Sequence, residues 1–86
     1  MNIPENWTIE NGQLTRTFVR KNFVDAVDFA QRLVPIAEAA DHHPDIEIFA
    51  YKKVTVRLKS HDVGEITERD LKMAEEINKT ISSEAD

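Results

Sequence analysis

The chain has 86 residues, 41% of them hydrophobic and 31% charged, with a formal net charge of -5 and no cysteine. That length supports one small core and excludes a second, so residues 1–86 read as a single domain. The composition excludes disulfide and thiol chemistry, no run approaches the roughly 18 apolar residues of a membrane span, and the acidic balance opposes direct attraction to nucleic acid or anionic lipid. Met1 leads into Asn2-Ile3-Pro4-Glu5 without a basic region or an apolar signal core, so a cytoplasmic location is expected. The pairs Arg20-Lys21 and Lys52-Lys53 read as solvated turn charges.

Trp7-Thr8-Ile9-Glu10 and Leu14 to Arg20 flank Asn11-Gly12, residues that tolerate the positive φ of a tight turn, so the chain opens with an antiparallel hairpin anchored by Trp7. Phe23, Ala26, Val27, Ala30, Leu33, Val34 and Ala37 then recur at helical spacing behind Asn22, a good N-cap. Pro35 falls inside that pattern, and its missing donor predicts a kink or a changed turn nearby. After Pro44, Ile46, Ile48 and Ala50 alternate with Glu47, Phe49 and Tyr51, and Val54, Val56 and Leu58 with Thr55, Arg57 and Lys59. A second hairpin turning near Lys52-Lys53 is expected, with Phe49 and Tyr51 lending apolar area to its open face.

Thr67 starts a last helix with acidic residues in its first turn, and Leu71, Ala74, Ile77, Asn78 and Ile81 share one face of it. Residues 82–86 lack apolar anchors and are expected to fray. The order β-β-α-β-β-α implies an α+β fold, a four-stranded antiparallel sheet with helices packed on one face.

The chemistry-bearing residues are concentrated. All three histidines, His42, His43 and His61, fall within twenty residues, and they are the side chains whose unperturbed pKa lies nearest neutrality. Glu38 precedes His42 by four positions, the spacing that lets a carboxylate orient an imidazole on one helix face. Pro44 disfavours helical geometry at His43, so the histidine pair marks a junction. If the second hairpin pairs as read, His61 returns toward that junction, and Asp70 approaches it from the last helix. Taken singly, a histidine at a helix end reads first as a cap or surface group, Glu38 as a solvated charge and Asp70 as compensating a helix dipole; two adjacent histidines with a third at a hairpin end bring the catalytic reading to equal weight. Zinc is disfavoured, because the His-Glu-x-x-His pattern and cysteine ligands are absent.

Taken together, Glu38, His42-His43-Pro44, Tyr51, His61 and Asp70, with Tyr51-Lys52-Lys53-Val54 and Thr67-Glu68-Arg69-Asp70, resemble the signature of the pterin-4a-carbinolamine dehydratase family. The resemblance runs from about Trp7 to Ile81. It implies a lyase that dehydrates 4a-hydroxytetrahydropterin to quinonoid dihydropterin in tetrahydrobiopterin recycling, with no metal or organic cofactor. It also implies His42, His43, His61, Glu38 and Asp70 as catalytic, and Asp41, Lys59, Ser60 and Asp62 beside the histidines as substrate-binding, Lys59 and Ser60 through their backbone. A homodimer or homotetramer is implied, and an aromatic amino-acid hydroxylase is a candidate partner.

Two other roles are consistent with the resemblance. One is a protein-binding module, since animal members are dimerisation cofactors of a homeodomain transcription factor; the other is a homologue acting in molybdopterin metabolism. Six residues separate Pro44 from Tyr51 where the commoner family pattern has five, which predicts a bulge at the strand entry.

Overall fold

The computed structural model describes residues 1–84, and its elements follow in the expected order: β1 (Thr8–Glu10), β2 (Gln13–Val19), α1 (Phe23–Ala40), β3 (Asp45–Phe49), β4 (Lys53–Leu58) and α2 (Glu68–Ser83). The four strands form one antiparallel sheet in the order β1-β2-β4-β3. Each hairpin keeps its sequence neighbours together, and β2 joins the two by pairing with β4. Among the described residues, no helix is long and apolar enough to cross a membrane.

The first turn is as the sequence requires, with Asn11 at φ 53 and Gly12 at φ 74. Inward-facing Leu14, Phe18, Val54, Val56 and Leu58 are buried beneath the helices, with Trp7, Phe29, Leu33, Leu71, Met73 and Ile77 closing the core. Trp7 lies just before β1 and carries its polar edge inward, its Nε1 donating to Asn78 Oδ1 at 2.8 Å. The open face is polar at its centre, where the Thr17 and Thr55 hydroxyls meet at 2.7 Å and Arg57 pairs with Glu47, and apolar at one end, where Val19 and Phe49 flank Lys53 and are exposed.

Helix α1 buries a different stripe from the one its periodicity suggested. Ala26, Phe29, Leu33 and Ala37 face the core, while Phe23, Val27 and Val34 are 56%, 40% and 52% exposed. The two stripes share Ala26, Leu33 and Ala37, so period alone does not separate them. Phe29 decides, with its ring against Phe18 at 4.7 Å and under the Arg20 guanidinium at 4.6 Å.

The helix runs through Pro35 to Ala40. It ends at Asp41, which adopts the left-handed conformation at φ 48, ψ 45, while the His42 N–H reaches back to the Ala37 carbonyl.

The second hairpin corrects two expectations. Register runs unbroken from Asp45↔Arg57 to Phe49↔Lys53, so the strand entry carries no bulge. The turn comprises residues 50–52 rather than Lys52-Lys53, with Ala50 at φ 46 and Tyr51 at φ 50. Tyr51 therefore belongs to the turn and not to the sheet face. At the other end of the chain, α2 continues to Ser83, and Glu84 is tied to Arg20 and Arg32. Residues 82–84 are thus anchored, while Ala85 and Asp86 of the expected frayed tail lie outside the described residues.

Candidate active site

The site is built where three element ends meet: the C-terminus of α1, the segment following β4, and the N-terminus of α2. Thr67 caps α2, its Oγ1 accepting from the Arg69 N–H at 3.3 Å. Asp70 completes a capping box, with Oδ2 accepting from the Thr67 N–H at 2.9 Å. A carboxylate committed to its own helix end in this way has one oxygen turned away from the helix.

That oxygen meets a histidine. Asp70 Oδ1 lies 2.5 Å from His42 Nε2, with Asp70 fully buried and the His42 side chain 8% exposed. Ser60, also fully buried, donates from Oγ to Asp70 Oδ2 at 2.9 Å and touches Thr67 Oγ1 at 2.7 Å. Among the described residues, no buried side-chain N or O lacks a partner. Since His42 Nδ1 has no hydrogen bond to the chain, it must keep contact with solvent. His42 lines a groove of ≈ 630 Å³ between α1 and α2, walled by Ile36, Ala39 and Ala40 on one side and Arg69, Lys72 and Met73 on the other.

This geometry replaces the expected partnership of Glu38 with His42. Because Asp41 breaks the helical path, the ring four positions on from Glu38 turns inward, and Glu38 Oε2 instead meets His43 Nε2 at 2.6 Å. This second pair is open, with side-chain exposures of 60% and 67%. His43 and Glu38 border a smaller hollow of ≈ 190 Å³ with Val34, Pro44 and Ile46. The two adjacent histidines thus address different concavities.

The other predicted site residues are more dispersed. His61 is exposed immediately after Ser60, Asp41 is exposed at the helix cap, and Lys59 is half-buried. Asp62 is exposed and accepts from Arg69 Nη2 at 2.5 Å; that hydrogen bond holds its carboxyl below the usual range. Ser60 differs from the expectation that its backbone faces substrate. Its N–H donates to Glu65 and its carbonyl accepts from Val63 and Gly64, so its backbone is consumed by its own turn and its side chain by Asp70.

Thr67 and the groove cations Arg69 and Lys72 were not singled out from sequence as site residues. The Thr-x-x-Asp spacing of a capping box would have tied Thr67 to Asp70. Among the described residues, no group of three or more histidine or carboxylate side chains converges on a metal position.

A family model described as pterin 4 alpha carbinolamine dehydratase matches residues 1–80. A curated relative from Sulfolobus acidocaldarius is 43% identical over 75 residues, covering 87% of this chain and 81% of the relative. Another, from Picosynechococcus sp., is 52% identical over 68 residues, covering 79% and 73%. Both bear the name "Putative pterin-4-alpha-carbinolamine dehydratase". The crystal structure of a transcriptional coactivator/pterin dehydratase from Brucella melitensis matches 87% of this chain and 81% of its own, with a TM-score of 0.77 and 36% identity. A pterin dehydratase-like protein identified as a RuBisCO assembly factor in the alpha-carboxysome has a TM-score of 0.64 over 85% of this chain and 83% of its own, and at 19% identity shares the fold alone.

Proposed function

The chain belongs to the pterin 4 alpha carbinolamine dehydratase family, and on that premise we propose that it is a lyase removing water from a 4a-hydroxytetrahydropterin to give the quinonoid dihydropterin. The observation that carries this reading is the buried His42–Asp70 pair in the wall of the groove, its second imidazole nitrogen without a hydrogen bond to the chain. Dehydration requires two proton movements. The hydroxyl leaves the carbinolamine carbon as water only once it gains a proton. The adjacent ring nitrogen drives it out by forming a double bond to that carbon as it gives up its own proton. A positioned acid and base contribute about 10²–10⁴-fold each.

His42 is suited to be the base. With Nε2–H held by Asp70, its Nδ1 lone pair is left for substrate in the groove that His42 lines, an arrangement in which a carboxylate sets tautomer and ring orientation. His61, exposed beside Ser60, supplies the proton to the leaving hydroxyl, and His43 with Glu38 assists from the other side of the junction. Lys59, Asp41 and Asp62 border the substrate. Residues 1–86 act as one cytoplasmic domain that recycles the pterin released by an aromatic amino-acid hydroxylase. The exposed Phe23, Val24, Val27 and Val34 on α1 fit self-association into a homodimer or homotetramer.

The test is stopped-flow absorbance of freshly generated 4a-hydroxytetrahydropterin, comparing wild type, His42→Ala and His61→Ala with spontaneous dehydration, each at a temperature where it is folded by circular dichroism. Wild type should accelerate the decay and both variants should lose at least tenfold of that acceleration. No acceleration by folded wild type would overturn the lyase reading in favour of a binding role, and wild-type rates in both variants would overturn the residue assignment.

A further inference from the structure

The hydrogen bonds around Asp70 have a direction that the proton inventory settles. Thr67 Oγ1 accepts from the Arg69 N–H, and because the single Ser60 proton is committed to the Asp70 carboxylate, it is the Thr67 hydroxyl that donates to Ser60 Oγ, 2.7 Å away. Ser60 Oγ then has its single proton for Asp70 Oδ2 at 2.9 Å, where the Thr67 N–H also arrives at 2.9 Å. The reverse polarity would put a carboxylic proton on Oδ2, where it would collide with the backbone N–H. Oδ2 is therefore the acceptor oxygen, and Oδ1 is left for His42 Nε2 at 2.5 Å.

We propose that Ser60 and Thr67 are positioning residues that act through Asp70 to select the His42 tautomer, with Nε2 protonated and Nδ1 free. The line runs one way from a helix N-terminus: Arg69 N–H, Thr67 hydroxyl, Ser60 hydroxyl, Asp70 carboxylate, imidazole. The Thr67 N–H on Oδ2 keeps that oxygen an acceptor, so the direction is built into the fold and does not wait for substrate. Ser60 touches neither groove nor solvent, being fully buried, and its hydroxyl serves only this line. Without it, Oδ2 retains only the backbone donor, and the carboxylate is free to turn about its Cβ–Cγ bond and meet the ring in other orientations. The inference rests on the dehydratase reading for its kinetic consequence, while the tautomer itself is independent of any activity.

The experiment is ¹⁵N–¹H correlation of the His42 ring in substrate-free wild type, Ser60→Ala, Ser60→Cys and Thr67→Ser, at a pH where the ring is neutral by its own titration. Wild type and Thr67→Ser should show the Nε2–H tautomer alone. Ser60→Ala should show both tautomers, with kcat down about tenfold, KM unchanged and the acidic limb of the pH–rate profile, which reports the base, displaced. Ser60→Cys keeps the volume with a weak donor, fills the site if alanine fails to fold, and should fall between the two. Wild-type tautomer and rate in folded Ser60 variants would overturn this inference and leave the lyase reading standing. An inactive wild type whose Ser60 variants nonetheless mix tautomers would sink the lyase reading and leave this one intact.

Discussion

The two histidine–carboxylate pairs form a natural experiment in burial. His42–Asp70 and His43–Glu38 are nearly equal in length, 2.5 and 2.6 Å, and use the same nitrogen, but the first pair is 8% and 0% exposed and the second 60% and 67%. His42→Ala removes a hydrogen bond to a buried carboxylate and leaves Oδ1 without its donor. A bond to a charged group contributes about 1.5–3 kcal/mol net, and the loss of the packed ring adds to it, so a destabilisation of about 2–4 kcal/mol is expected. His43→Ala breaks an exposed pair worth about 0–1 kcal/mol, because water replaces what is lost. For a chain of this size 1 kcal/mol moves Tm by about 4–8 °C. Thermal and urea melts at neutral pH should therefore lower Tm by at least about 8 °C for His42→Ala and by only a few degrees for His43→Ala. Equal losses would refute the argument that burial, not bond length, sets the value of these pairs; a neutral His42→Ala would show that Asp70 does not need its imidazole partner.

Three further outcomes follow from the packing. Ala50→Gly should stabilise by about 0.5–1 kcal/mol in urea denaturation, since Ala50 sits at φ 46, where a Cβ is penalised, and the gain exceeds the extra entropy of glycine in the unfolded chain; a loss would contradict the strained turn. Glu84 is held below its ordinary 4.5 chiefly by the hydrogen bond from Arg20, and Asp25 below its ordinary 3.8 by the Lys21 N–H and Arg20. A depressed carboxyl adds stability that is complete above its unfolded value and lost as pH falls through the folded one. Stability should thus decline below about pH 4.5, and Glu84→Gln should flatten part of that slope in acid melts; an unchanged slope would exclude Glu84 as a contributor. Asn78→Ala strands the Trp7 indole N–H and the Arg16 guanidinium that share its Oδ1, and should cost about 1–3 kcal/mol with a shift in tryptophan fluorescence. An unshifted spectrum would show that the indole keeps its surroundings without Asn78.

Element types and order were legible because their signals are local. Asn11-Gly12 admits positive φ, Asn22 and Thr67 offer side-chain oxygens to helix N–H groups, and the alternation in residues 46–50 and 54–58 has the period of a strand. The extra residue before Tyr51 suggests a bulge, but continuous pairing to Phe49 moves the irregularity into the turn, because a ladder bonded along its length resists interruption more than a loop does. On α1 the periodicity identified a helix without identifying its inward face. Both candidate stripes satisfy the same spacing, and the Phe18–Phe29 contact, set by how the helix folds back over the strand before it, chose between them.

The sequence by itself determined the inventory and the family: three histidines and two acids at spacings that resemble one signature, on an α+β order that local propensity dictates. What only the tertiary structure decided is which acid holds which histidine. One left-handed residue, Asp41, turns His42 away from Glu38 and into the core, where a capping carboxylate 28 positions later has its outward oxygen to spare. Spacing along a helix is a local quantity and ends where the helix ends; beyond that point, partners are set by where distant chain ends are packed, and burial sets what each partnership is worth.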